Sequence, residues 1–92
     1  FTHVYDVVRA NLLAAESPHV GRGEVINIGG GHDHSVLEIA SLIGGTTVFI
    51  EPRVEPKRTL ADLQKAKELL SWEPLISFEE GIAELKGFYG IG

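Results

Sequence analysis

The chain has no cysteine and no methionine among its 92 residues. Without cysteine there can be no disulfide and no thiolate metal site. Basic residues are scarce. Eight Lys and Arg stand against thirteen Asp and Glu, giving a net charge of -5 and a pI near 5.2. Phosphate neutralisation needs a basic face, so this balance argues against a nucleic-acid binder. Long apolar runs are missing too. None approaches the roughly 20 residues of a membrane span, and no signal peptide is visible. We therefore expect no membrane partner and a cytoplasmic location. The chain opens on Phe1-Thr2-His3-Val4, an apolar, strand-like run without an initiator Met. We expect a fragment of a longer protein.

What is present suits one small domain over residues 1–92, since an apolar fraction of 43% supplies a single core. A globule of this size buries only about two-thirds of its unfolded surface, so its stability margin is thin. Tyr5 to Glu16 reads as a helix with Val4, Val7, Val8, Leu12 and Ala15 on one stripe. Asn11 lies within that stripe, and a buried amide there would be tied to neighbouring backbone. Asp6 suits the positive end of the helix dipole.

Further helices are signalled by caps. Ser35-Val36-Leu37-Glu38 and Ser77-Phe78-Glu79-Glu80 are capping boxes. The first leads a helix to Ile43 with Val36, Ile39, Ala40 and Ile43 inward. The second leads one whose Phe78, Ile82, Leu85 and Tyr89 form an inner stripe, with Gly81 marking a close approach. Between them Asp62 opens a helix with Leu63, Ala66 and Leu70 on one face. Trp72 reads as a core plug rather than a stacking platform. Glu24–Ile28 and Thr46–Ile50 read as strands. The predicted fold class is α/β, with four amphipathic helices and two or three short strands.

One stretch runs against the acidic background. Pro52-Arg53-Val54-Glu55-Pro56-Lys57-Arg58 carries three cations within six residues, and its two prolines hold it extended. A cationic arm of that kind suits a polyanion such as a nucleotide diphosphate, or else is a solvated basic patch. His32-Asp33-His34 has metal-ligand residue types. Neighbours on one loop rarely converge on one ion, however, and no second cluster completes the set. We assign no metal ligand.

Four runs in order carry a resemblance: Phe1 to Ala10; Asn27-Ile28-Gly29-Gly30-Gly31 with Ser35 to Glu38; Pro52 to Asp62; and Leu70-Ser71-Trp72-Glu73-Pro74 with Glu79-Glu80-Gly81. Together they resemble the C-terminal, substrate-binding subdomain of extended short-chain dehydrogenases/reductases. These are the NAD-dependent nucleotide-sugar epimerases and dehydratases, most of all the UDP-glucose 4-epimerase branch. The resemblance implies a Rossmann-type parent with NAD as cofactor, a UDP-sugar as substrate, and Arg53 on the pyrophosphate. Glu55 is the heir to the family's ribose-binding acid. The family's Arg-Pro-Gly-Asp/Glu order is one residue shorter here, which displaces that carboxylate by about 3.5 Å. Ser71 replaces the family's glycine at a left-handed helix end.

The family's Tyr-x-x-x-Lys pair and Gly-rich NAD loop are not in these 92 residues. Tyr5 with Arg9 imitates the pair only superficially, and Gly29-Gly30-Gly31 lacks the dinucleotide spacing and reads as a tight turn. No catalytic and no cofactor-binding residue is assigned. The chain lacks the dinucleotide-binding domain, so alone it should bind no NAD and interconvert no sugar. Other readings stay open: a stand-alone nucleotide-binding or docking module, part of a 4,6-dehydratase, a homodimer, or a half-protein docking on a separate Rossmann domain.

Overall fold

The computed structural model describes residues 1–54 and 59–91, so Glu55, Pro56, Lys57 and Arg58 of the cationic arm lie outside the described residues. Four helices make up the regular structure: α1 (Val4–Glu16), α2 (Val36–Ile43), α3 (Gln64–Leu70) and α4 (Phe78–Tyr89). Each starts and stops for a local reason. Ser35 Oγ accepts from Glu38 N–H at the head of α2. Ser77 and Glu80 form the full reciprocal capping box of α4. Asp62 Oδ1 accepts from Gln64 N–H just ahead of α3. α1 is capped by His3, whose Nδ1 accepts from Tyr5 N–H at 3.0 Å.

The helices pack as two pairs, α1 on α3 and α2 on α4; among the described residues no helix–helix packing joins one pair to the other. The core lies in the first pair. Ala10, Ala66, Leu70 and Trp72 are buried, with Leu13, Ala14, Leu63 and Leu69 packed around them. Trp72 is fully buried, as a core plug should be. Ser17 Oγ donates to Leu69 C=O at 2.7 Å and ties the end of α1 to α3. In the second pair Lys86 Nζ donates to Leu42 C=O at 3.1 Å, a cation on the negative end of α2.

Several expectations are overturned. No strand forms among the described residues, so the architecture is helical rather than α/β. A strand needs a neighbour to take its amides, and two or three short ones cannot make a stable sheet alone. The strand pattern survives nonetheless at 24–28. Ile26 and Ile28 pack toward the core while Val25 stays 74% exposed. At 46–50 even that is gone, and Val48, Phe49 and Ile50 face outward.

The inward face of α1 is also not the predicted one. Asp6, Ala10, Leu13 and Ala14 turn inward, whereas Val4, Val7, Val8 and Leu12 are exposed and Asn11 is no buried tie. This helix is apolar on two sides, and small residues let the Ala10 side approach α3 closely. Only part of the predicted α4 stripe is covered: Phe78 and Ile82 are half-buried, Leu85 and Tyr89 exposed. Gly81 is not forced by crowding, because a methyl there would meet His3 Cδ2 at an ordinary 3.7 Å.

The left-handed end of α3 is real. Ser71 has φ 53° and ψ 34°, and the N–H groups of Ser71 and Trp72 close onto Lys67 and Ala66 C=O, both at 3.1 Å. A non-glycine residue there costs of order 1 kcal/mol. Ser71→Gly should raise stability by up to about 1 kcal/mol, read as a higher urea midpoint with an unchanged slope.

The molecule is thin, with principal extents of 49 × 31 × 16 Å. It exposes 7446 Å², where a compact 10 kDa globule would expose about 5,200 Å². Its radius of gyration, 16.1 Å, likewise exceeds the roughly 12 Å expected for this length.

Candidate functional site

A buried carboxylate helps to join the two helix pairs. Asp6 on α1 is 2% exposed, and a buried charge must find partners. Its Oδ1 accepts from Leu75 N–H at 3.2 Å and its Oδ2 from Ile76 N–H at 3.1 Å, on the segment that leads into α4. Arg9, one turn on, donates to Oδ1 at 3.2 Å and also to Glu73 C=O. The Arg9 guanidinium lies 5.6 Å over the Trp72 ring, and Trp72 Nε1–H donates to Asp6 C=O at 3.0 Å. Burial alone pushes the Asp6 pKa up. The amides of Ile76 and Leu75 and the Arg9 guanidinium outweigh it and hold the carboxyl below its ordinary value.

Above this latch lies a cleft of about 850 Å³ between the N-terminal segment, the loop carrying His32 and His34, and α4. Two histidine–carboxylate bonds frame it. Because His3 Nδ1 accepts the α1 cap bond, its proton sits on Nε2, which donates to Glu84 at 2.9 Å. On the other wall His34 Nδ1 donates to Glu38 at 2.9 Å, and the imidazole stacks on Phe78 with centroids 3.9 Å apart at 12°. The His34 hydrogen bond, then the Ser35 amide, hold the Glu38 carboxyl below its usual range. Phe1 completes the floor, 5.5 Å from Phe78.

The glycine run belongs to this wall. A Cβ on Gly30 would lie 2.2 Å from Phe1 C=O, and one on Gly29 3.0 Å from Ala61 Cβ. Gly31 has φ +85°. The loop cradles its own chain, so its geometry does not fit a dinucleotide.

Of the residues singled out from sequence, Arg53 is exposed and does not line the cleft. Glu55, Lys57 and Arg58 lie outside the described residues. His32, Asp33 and His34 all reach the cleft; among the described residues no three His, Asp or Glu side chains are grouped to hold a metal ion. Tyr5 is 65% exposed with its ring 5.0 Å from His3, while Arg9 is committed to Asp6. The two share no chemistry. Sequence reasoning missed the Asp6 latch and the His3–Glu84 bond. The Asp6/Arg9 spacing was visible, but an amphipathic stripe drawn through valines concealed it.

A diphosphate entering the cleft would meet the carboxylates of Glu38, Glu79 and Glu84, with no Lys or Arg on the walls among the described residues.

Over almost its whole length the chain is similar to part of several UDP-sugar epimerases and UDP-glucuronic acid decarboxylases. It is 36% identical over 89 residues to an uncharacterized UDP-glucose epimerase of Bacillus subtilis, covering 89% of this chain and 28% of that protein. It is 36% identical over 90 residues to a UDP-glucuronate 4-epimerase of Thermodesulfobacterium geofontis, covering 89% and 27%. Against UDP-glucuronic acid decarboxylase 1 of Xenopus tropicalis the identity is 36% over 89 residues, covering 89% and 20%. The chain thus spans about a quarter of the length of the curated relatives it matches. No protein-family model matches the chain. No solved structure matches it.

Proposed function

We propose that residues 1–92 form the UDP-sugar-binding subdomain of an NAD-dependent nucleotide-sugar epimerase, in the manner of UDP-glucose 4-epimerase, and that they have no turnover by themselves. Relatedness over 89% of the chain to proteins named for UDP-sugar chemistry carries this reading. The arm supports it. Arg53 is exposed, and among the described residues it has no ion-pair partner, so its guanidinium is available to a pyrophosphate. Glu55 would take a ribose hydroxyl. Binding energy from these remote groups lets the reacting sugar stay loose while the nucleotide is fixed.

The residues present do not fit NAD, and we derive no step through it; the cofactor belongs to a dinucleotide-binding domain. The thin shape and the uncovered Val4, Val7, Val8 and Leu12 on α1 support a part that docks on such a domain, in the same chain or another. A decarboxylase parent is a second reading, favoured by the equal 36% identity to that class.

Titration of the 92-residue chain should show UDP binding no tighter than about millimolar and no NAD binding. In an enzyme containing these residues, Arg53→Ala should raise the KM for UDP-sugar about tenfold or more, the scale of a lost charge-assisted hydrogen bond. Uridine affinity should not change. An unchanged KM, or micromolar UDP binding by the chain alone, overturns the assignment.

A further inference from the structure

We propose that the cleft at the seam of the two helix pairs is a docking site for a polypeptide segment bearing an arginine or lysine between apolar residues. The proposal does not rest on the nucleotide-sugar reading, since that chemistry was assigned to the arm.

Charge and shape both point this way. Glu38, Glu79 and Glu84 stand on the walls, and among the described residues no Lys or Arg answers them. The Glu38 and Glu84 side chains are 56% and 60% exposed. Each keeps lone pairs for a second donor after its histidine bond. Those bonds also fix the two carboxylates in place, which lowers the entropy lost when a cation arrives. The floor between them is apolar, built from Ile76, Phe78, Ile82 and Leu85, with Phe1 at the edge. Phe1 is 62% exposed and Leu85 53%.

A purely apolar ligand would strip water from the carboxylates without replacing it. An anion would be repelled. A ligand must therefore bring a cation and an apolar body together. The volume is of the size that seats side chains rather than a domain. The acids are spread over two helices, with Glu79 and Glu84 roughly 7.5 Å apart along α4. A segment with several side chains spans them, whereas a single small amine does not. Arginine is the better cation, because its planar fork meets a carboxylate with two bonds.

The test uses acetyl-Leu-Arg-Phe-Leu-amide, the same peptide with Glu in place of Arg, and agmatine as a free guanidinium. Each is titrated at low salt with methyl NMR of Ile82 and Leu85. The basic peptide should bind at least about tenfold more tightly than either alternative. The Glu79→Gln/Glu84→Gln variant should lose about tenfold in affinity, as should Leu85→Ser, while Glu16→Gln on the far end of α1 should not. Circular dichroism checks that the helices persist. Equal binding of the acidic peptide, equal binding of agmatine, or no shift with any probe overturns the proposal.

Discussion

Replacing Asp6 by Ala should cost about 3 kcal/mol, one of the two largest effects expected for a single substitution in this chain. The variant strands three donors at once: Leu75 N–H, Ile76 N–H and one arm of Arg9. It also removes one of the polar links between the two helix pairs, the His3–Glu84 bond being another, while leaving the apolar contacts of α1 with α3 intact. Asp6→Asn keeps one acceptor and should lose about half as much. The pH dependence separates charge from shape. The folded carboxyl titrates below its ordinary value of 3.8, so its stabilisation is complete above roughly pH 5 and falls away as the pH drops through and below that value. In Asp6→Asn this part of the acid sensitivity should vanish. Urea midpoints from pH 6 down to pH 3 measure it, and parallel curves for wild type and Asn would show that the carboxylate carries no special burden.

Gly30→Ala should be comparably damaging, by about 3 kcal/mol, although it adds one methyl. The obstacle is the Phe1 carbonyl oxygen, 2.2 Å from the new Cβ. Backbone cannot swing aside as a side-chain tip can. The N-terminal segment would have to leave the wall, taking the Phe1–Phe78 contact with it. Gly87→Ala is the control, since nothing lies within 4 Å of a Cβ there, and it should stabilise α4 by up to about 1 kcal/mol. Thermal melts with both variants decide it, and a Gly30→Ala melt matching wild type would mean that the N-terminal segment is not held against the loop.

Helices were legible because their signals are local. The hydroxyls of Ser35 and Ser77 fixed two starts, with Glu80 completing the reciprocal box at the second, and Ser71 marked the end of α3 through a conformation few residues adopt. Trp72 as a plug was legible from size and position. The long-range choices were not. α1 has two apolar sides, and periodicity through Val4, Val7 and Val8 picks the one that stays exposed here. Asp6 looks like a dipole residue until Leu75 and Ile76 arrive from about seventy positions away to claim its oxygens. The strands failed for a related reason. The Ile26/Ile28 alternation is present, but a ladder needs a partner that no single segment can announce. At the candidate site, the arm was readable from its cations and prolines. The cleft, assembled from His3, His34, Glu38 and Glu84, was not.

The outward-facing run Thr46-Thr47-Val48-Phe49-Ile50 carries a practical hazard. It is uncharged, β-branched and aromatic, the composition that stacks into cross-β fibrils when copies meet. At high concentration that run should make this polypeptide more prone to aggregate. A lysine at Val48 would act as a gatekeeper there without touching the latch or the cleft.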